Sequence, residues 1–300
     1  HGWLIQVVES PTPVSALLHA GVINLGGFLL LLFAPLFSQA TVAQWFVLVV
    51  AGLTTAISAL VMSTRISIKV RLAWSTTAQM GLMLVECALG LYELALLHLC
   101  AHSCYKAYAF LNAGTAVDQN LVMQLSPPAL PPLRAWVVSA LIVLPLALLT
   151  PALLGLASPV SPWLLIGLAL LVVCAERFGA SQKTSLIRGL LVAVAMLAAY
   201  VGWKLLAARL LPEIAVSYHP GMDIWASLLF IAMLGAWMLL RYRPAAAFSR
   251  KLFIALNAGF YLDEWATRTT LALWPVRVPR TLEKKVINQQ NVTSQKEAVA

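Results

Sequence analysis

Residues 86–114 read ECALGLYELALLHLCAHSCYKAYAFLNAG. Glu86, Glu93, His98, His102 and Lys106 interrupt a run otherwise apolar enough for a bilayer. A charged side chain at the bilayer centre costs about 2.5 to 3.5 kcal/mol on insertion scales, so ionisable residues inside a membrane span are functional candidates by default. Whether this run is a soluble core or a membrane path depends on the rest of the chain.

Of the 300 residues, 61% are hydrophobic and 10% charged, and the mean hydropathy is +0.87. Soluble domains carry about 25% charged residues. The expected fold class is therefore all-α, a polytopic transmembrane helical bundle whose first partner is the lipid bilayer. The net charge of +9 lies between apolar runs and forms no basic patch interleaved with aromatics, so no nucleic-acid partner is expected. Cys87, Cys100, Cys104 and Cys174 fall inside apolar runs without a CxxC pair, against a disulfide framework or zinc ribbon. Residue 1 is His and no signal-peptide pattern precedes the first apolar run, so the chain is expected to be a fragment of a longer protein.

A spanning helix needs about 20 mostly apolar residues. Eight stretches approach that: 14–37, 42–62, 73–93, 95–116, 135–156, 159–176, 189–211 and 223–240. The sixth is short, and the third and fourth run together. Arg65, Lys69 and Arg71, then Arg134, then Arg177, Lys183 and Arg188, then Arg241, Arg243, Arg250 and Lys251 fall on alternate connections. The opposite connections, 38–41, near 94, 157–158 and 212–222, carry no Lys or Arg, although Lys204 and Arg209 lie near the outer end of the seventh span. The positive-inside rule then puts both ends of the chain in the cytoplasm.

The expected organisation follows. Residues 14–240 form a transmembrane channel domain. Residues 241–280, rich in Phe, Leu and Trp mixed with charge, form an amphipathic interfacial or partner-docking segment. The polar stretch 281–300 reads as a disordered tail.

On a helix turning 100° per residue, His98, His102 and Lys106 fall within an arc of about 80°. Gln79, Glu86 and Glu93 recur every seventh residue and drift about 20° per step, with Ser75 on the same face. A carboxylate stripe can thus oppose an imidazole and ammonium stripe across a helix pair. Such a row suits proton movement; the competing reading is that Glu and Lys neutralise one another and tie the helices together. Cys100 and Cys104 point roughly 160 to 200° away from His98 and His102, so these four cannot converge on a metal, and no metal ligand is assigned.

Pro11 and Pro13 are expected to start or break the helix carrying His19. His19 then either joins the polar path or serves as a core histidine, and Gly21, Gly26 and Gly27 serve close helix packing. Positive-inside anchoring suffices for Lys69 and Arg71. There is no phosphate loop, GxSxG elbow or dinucleotide fingerprint, and no quinone, flavin or iron–sulfur ligand pattern. A transport subunit without cofactor or catalysis of its own is expected.

Three segments, ESPTPVSALLHAGVINLGG (9–27), IKVRLAWSTTAQMGLM (68–83) and LLHLCAHSCYKAYAFLNAGTAV (96–117), together resemble the proton-translocating, antiporter-like subunits shared by respiratory complex I and Mrp cation antiporters. The resemblance implies inverted helical bundles with discontinuous helices and a central polar axis, with this chain as the C-terminal part and residues 1–13 connecting it to a preceding bundle. It further implies that His19 is the histidine of the PTPVSALLHA helix, Lys69 the lysine before STxxQ, and His98, His102 and Lys106 the His-x-x-x-His-x-x-x-Lys row of that axis. Glu86 and Glu93 are not part of it and rest on spacing alone.

The sequence departs from complex I, whose large subunit follows this row with a GFFSKDEIL-like segment bearing another lysine. Here a proline-rich loop, 126–132, leads into a fifth span with no Lys, Asp or Glu. With NAGFYLDEWATRTTLALWPVRVP (257–279), the chain is similar to DabB-type membrane subunits of bacterial inorganic-carbon transporters. That similarity implies the bacterial inner membrane and a DabA-like soluble, carbonic-anhydrase-like partner holding the zinc, with cation flow driving CO2 hydration to bicarbonate. The alternatives are a proton-pumping subunit of an NADH:quinone oxidoreductase, an Mrp-type cation/proton antiporter subunit and a structural anchor.

Overall fold

The computed structural model describes residues 2–115, 130–155, 159–179, 183–210 and 218–274. Every regular element among them is helical. They form two compact units, the first ending at Asn257 and the second beginning at Ala258.

The first unit opens with α1, Gly2–Gln6, and a 3-10 turn, Val7–Glu9. The first apolar stretch is then not one helix but α2, Thr12–Ala20, a 3-10 turn, Val22–Asn24, α3, Leu25–Leu32, and α4, Ala34–Phe37. Pro11 and Pro13 start α2 rather than break it, because the first-turn N–H groups have no intrahelical acceptor to lose. The discontinuity falls after His19, at Gly21. There Asn24 N–H bonds back to Gly21 O at 3.0 Å, three residues away instead of four. That frees the Ala20 carbonyl, which accepts instead from the Asn24 side-chain amide at 2.8 Å. Gly27 does serve close packing, since a Cβ there would fall 2.0 Å from the Met83 side chain, whereas Gly26 faces open space.

Next come α5, Thr41–Thr64, α6, Ile68–Ala88, and α7, Tyr92–Leu111. The expected join between the third and fourth stretches is a sharp turn at Leu89–Leu91, not near residue 94. Gly90 has φ 75°, a conformation costly for residues with a Cβ. Its N–H bonds to Cys87 O at 3.1 Å and the Leu91 N–H to Glu86 O at 2.9 Å, the paired bonds of a Schellman stop. Glu93 therefore opens α7 instead of closing α6, and the seven-residue spacing that joined it to Gln79 and Glu86 runs through a turn.

The remaining long helices are α8, Leu133–Leu153, α9, Val160–Gly179, α10, Lys183–Leu210, and α11, Pro220–Tyr242. α12, Ala247–Asn257, packs against α5. By length and composition, Thr12–Leu32, Thr41–Thr64, Leu133–Leu153, Arg188–Ala207 and Pro220–Tyr242 suffice to cross a membrane, and Val160–Glu176 is a shorter apolar helix. α6 and α7 have 21 and 20 residues, about 30 Å at 1.5 Å per residue, and their charged and polar residues dilute their apolarity. Helices make up most of the described part of each of the eight expected stretches, and the chain is a multi-pass membrane protein.

Long-range contacts sort the helix ends. At one end, hereafter the Gly90 end, Trp45 meets Gly221, Trp203 meets Glu93, and Asp223 binds the start of α9. At the other, Lys69 reaches Ser10, Trp136 donates to Tyr242, and Arg241 pairs with Glu176. Ile5, Val61, Trp74, Leu240 and Leu256 share an apolar cluster there. Consecutive long helices thus run in alternating directions. α5 lies close to its neighbours through small residues: a Cβ at Gly52 would fall 2.6 Å from Trp225, and one at Gly81 2.8 Å from the Ala51 carbonyl.

In the second unit Gly259, Phe260 and Tyr261 all have positive φ, 62°, 54° and 55°. They lead into α13, Leu262–Leu273, whose first turn carries Asp263 and Glu264 where the helix dipole favours acid. None of its side chains is buried, and Trp265 and Leu271 are exposed. Positions 126–129 of the proline-rich loop, and the expected tail 281–300, lie outside the described residues.

Candidate functional site

The two faces of α7 differ sharply. His102 and Lys106 are buried, Lys106 completely, while Cys100 and Cys104 are exposed. The geometry that kept the cysteines from the histidines on the helical wheel is the one observed.

Lys106 Nζ donates to the Leu72 carbonyl at 3.0 Å and to Ser75 Oγ at 2.8 Å, both on α6. Among the described residues no carboxylate lies within ion-pair distance of it. Toward the Gly90 end, His98 Nδ1 stands 3.1 and 3.0 Å from the two oxygens of Glu86, so the last turn of α6 and the second turn of α7 are joined across the Gly90 stop. The expected facing of stripes is present for Glu86 with His98 and for Ser75 with Lys106. The His98 and His102 rings lie edge to face with centroids 6.2 Å apart, and His102 also lies within electrostatic reach of Lys106 and His19.

His19 enters from α2. Fully buried, it stacks on Phe110, one turn beyond Lys106, with centroids 4.5 Å apart and planes at 16°. Phe110 and the helix break at Gly21 therefore bracket it, and the fields of Lys106 and Lys69 reach it. Both ring nitrogens of His19 and of His102, and Nε2 of His98, have no hydrogen-bonding protein group within reach. Lys69 stands off the row: its Nζ donates to Ser10 O at 2.8 Å, tying the start of α6 to the segment before α2.

The row thus follows α7 lengthwise. Lys106 to His98 is about 12 Å and Lys106 to Glu93 about 20 Å along the helix axis at 1.5 Å per residue. Glu93, half-buried in the first turn, is separate from the Glu86–His98 contact; Trp203 on α10 donates its indole N–H to the Glu93 carbonyl at 2.9 Å.

Two supporting residues escaped the sequence reading. Asn24 spans from Ala20 O to Ser103 Oγ, 2.7 Å away on α7, and so holds the α2–α3 break against the row; the only local signal was one amide in an apolar run. Asp223 is buried with Val160 N–H and Ser161 N–H on its two oxygens at 2.8 and 2.7 Å. It caps α9 and lies away from the row. Among the described residues no group of three or more His, Cys, Asp or Glu side chains gathers around a metal position.

Residues 1–126 match the transmembrane family described as NADH:quinone oxidoreductase/Mrp antiporter. The chain is 50% identical over 289 residues, 95% of its length, to the probable inorganic carbon transporter subunit DabB of Hydrogenovibrio crunogenus, and covers 55% of that protein. To subunit DabB2 of Halothiobacillus neapolitanus it is 36% identical over 95% of its length and 54% of the relative's. To NADH-ubiquinone oxidoreductase chain 5 of Metridium senile it is 40% identical over 118 residues, 39% of this chain and 20% of that one. The chain spans about half the length of the two DabB relatives. Residues 1–126 are thus similar to the antiporter-like membrane subunits of NADH:quinone oxidoreductases and Mrp antiporters, and nearly all of the chain is similar to DabB subunits.

Proposed function

We propose that this chain is the proton-conducting part of a DabB-type subunit in a bacterial inner membrane, coupling a cation gradient to the accumulation of inorganic carbon as CO2 or bicarbonate. Its partner is a DabA-like soluble zinc protein that carries out the CO2 chemistry. The observation carrying this reading is the extent of the DabB similarity, 95% of the chain, over a fold that encloses the Lys106 row. The described Arg65, Lys69, Arg71, Arg134, Arg241 and Arg243 lie toward the Ser10 end of the helices, which the positive-inside rule assigns to the cytoplasm. Residues 14–240 form the conducting domain, and 241–280 the segment offered to the partner or the membrane interface.

The row's chemistry follows from its hydrogen bonds. Ser75 accepts from an ammonium and, by turning its hydroxyl, donates to a neutral amine, so Lys106 can lose and regain a proton without losing its partner. No carboxylate of the described residues holds its charge. His102 and His98 continue the row, and Glu86 can exchange a proton with His98 inside one contact. His19 links Lys106 toward the Ser10 end, where Lys69 sets the local field, and Glu93 ends the row near Gly90. The imidazole nitrogens that no protein group occupies are free to bond water, the usual carrier between such groups.

Purifying the tagged full-length subunit from native membranes and identifying its companion tests the assignment. A soluble zinc protein is expected; NADH-oxidising or quinone-reducing subunits would overturn it. They would favour the second reading, an oxidoreductase or antiporter subunit, which the chain 5 similarity supports over about two-fifths of the chain.

A further inference from the structure

α10 lies outside the family-matched residues 1–126, yet it packs on α7 at the end of the polar row. The bond from the Trp203 indole to the Glu93 carbonyl fixes its register there. Tyr200, Trp203 and Lys204 are spaced i, i+3 and i+4 and so share one helix face. Trp163 of α9, fully buried, meets Tyr200 edge to face with centroids 5.0 Å apart and holds its ring on that side. The phenol lies in the field of both Glu86 and Glu93, and the Lys204 ammonium in that of Glu93. Glu93 and Lys204 are both half-buried.

We infer that Lys204, with Tyr200 beside it, forms the mouth of the proton path at the Gly90 end. Lys204 exchanges protons with Glu93. For inward flow, a Lys204 N–H bond breaks and its proton passes through a bridging water to form a Glu93 O–H bond, and bulk water reprotonates the amine; outward flow is the reverse. Tyr200 positions the hand-over between Glu93 and Glu86. The inference rests on the relay proposed along α7, and it gives the row the outlet that its fifth span, without Lys, Asp or Glu, does not supply.

The test uses the full-length subunit with its partner in sealed proteoliposomes, reading proton uptake after a pH jump. Lys204→Ala should slow uptake roughly a hundredfold, the low end for removing a positioned proton-transfer group. Lys204→Arg keeps a cation and an interfacial anchor but cannot release its proton at working pH. It should therefore insert and elute like the parent and still lose uptake. A Glu93→Lys, Lys204→Glu double variant should recover much of what either single change loses. Lys106→Ala is the control. If it stops uptake while both Lys204 variants conduct normally, Lys204 is only a membrane anchor and the inference falls; if Lys106→Ala also conducts normally, the relay reading itself falls.

Discussion

The Lys106 ammonium sits 2.8 Å from the Ser75 hydroxyl and 3.0 Å from a backbone carbonyl, buried between α6 and α7 with no carboxylate of the described residues beside it. A lysine kept to tie helices together would be expected to face its counter-ion, as Arg241 faces Glu176. Desolvating a charge on these terms is costly and is not repaid by an ion pair.

Removing that charge separates function from stability. Lys106→Met fills the same space without an ammonium, so the melting temperature of the detergent-extracted protein should stay level or rise. Gradient-driven carbon uptake should fall to background while the subunit still assembles with its partner. Normal uptake by this variant would take Lys106 out of the mechanism.

Glu86 and His98 predict a coupled pair. The contact is nearly closed to solvent, with side-chain exposures of 7% and 11%. Removing one partner of such a contact leaves the other's buried polar group unpaired and costs about 1 to 3 kcal/mol. Glu86→Gln and His98→Ala should each lower stability on that scale. The double variant should cost clearly less than their sum, which unfolding in detergent would measure as a coupling energy. Strict additivity would mean that the two side chains do not interact.

The Gly90 stop predicts a narrower effect. A Cβ in the left-handed conformation costs about 1 to 2 kcal/mol, so Gly90→Ala should lower the unfolding free energy by that much. Gly90→Asn should cost less, because Asn tolerates this conformation at helix ends. Equal losses in the two variants would argue against the backbone as the cause.

Much of the fold was legible because hydropathy reports long apolar helices directly, and the four-residue spacing of His98, His102 and Lys106 reports one face. The exposed Cys100 and Cys104 follow from the same wheel. The Gly90 stop was not legible: a lone glycine in an apolar run is a weak signal, and a seven-residue repeat of acids read straight through it. The prolines drew attention to Pro11 and Pro13, where a helix tolerates them, and away from Gly21, where it breaks. Trp203 and Asp223 reach partners 110 and 63 residues away, and no local periodicity encodes a contact at that distance.

Asp223 should prove structural. Its carboxylate satisfies two of the amide groups that a helix start leaves unpaired, and Tyr218 Oη donates to it at 3.1 Å. Asp223→Ala should cost about 1 to 2 kcal/mol, the upper range for losing a helix cap, and Asp223→Asn less. Among molecules that remain folded, the uptake rate per subunit should be unchanged. A specific loss of uptake at normal stability would instead place Asp223 on the path.

Asn24 makes the opposite case, a supporting residue whose loss should reach the transport step. Its amide repairs the carbonyl freed at the α2–α3 break and grips Ser103 on the helix that carries the row. Asn24→Ala leaves the Ala20 carbonyl unpaired in a buried place, at about 1 to 3 kcal/mol. It also frees α2, and with it His19, from a fixed position against α7. Ser103→Ala removes only the link between helices and leaves the carbonyl satisfied. If the break serves to hold His19 near Lys106, both variants should slow proton uptake, while only Asn24→Ala should lower the melting temperature appreciably. Uptake that falls in Asn24→Ala alone, in step with its stability, would reduce the Asn24–Ser103 contact to ordinary packing.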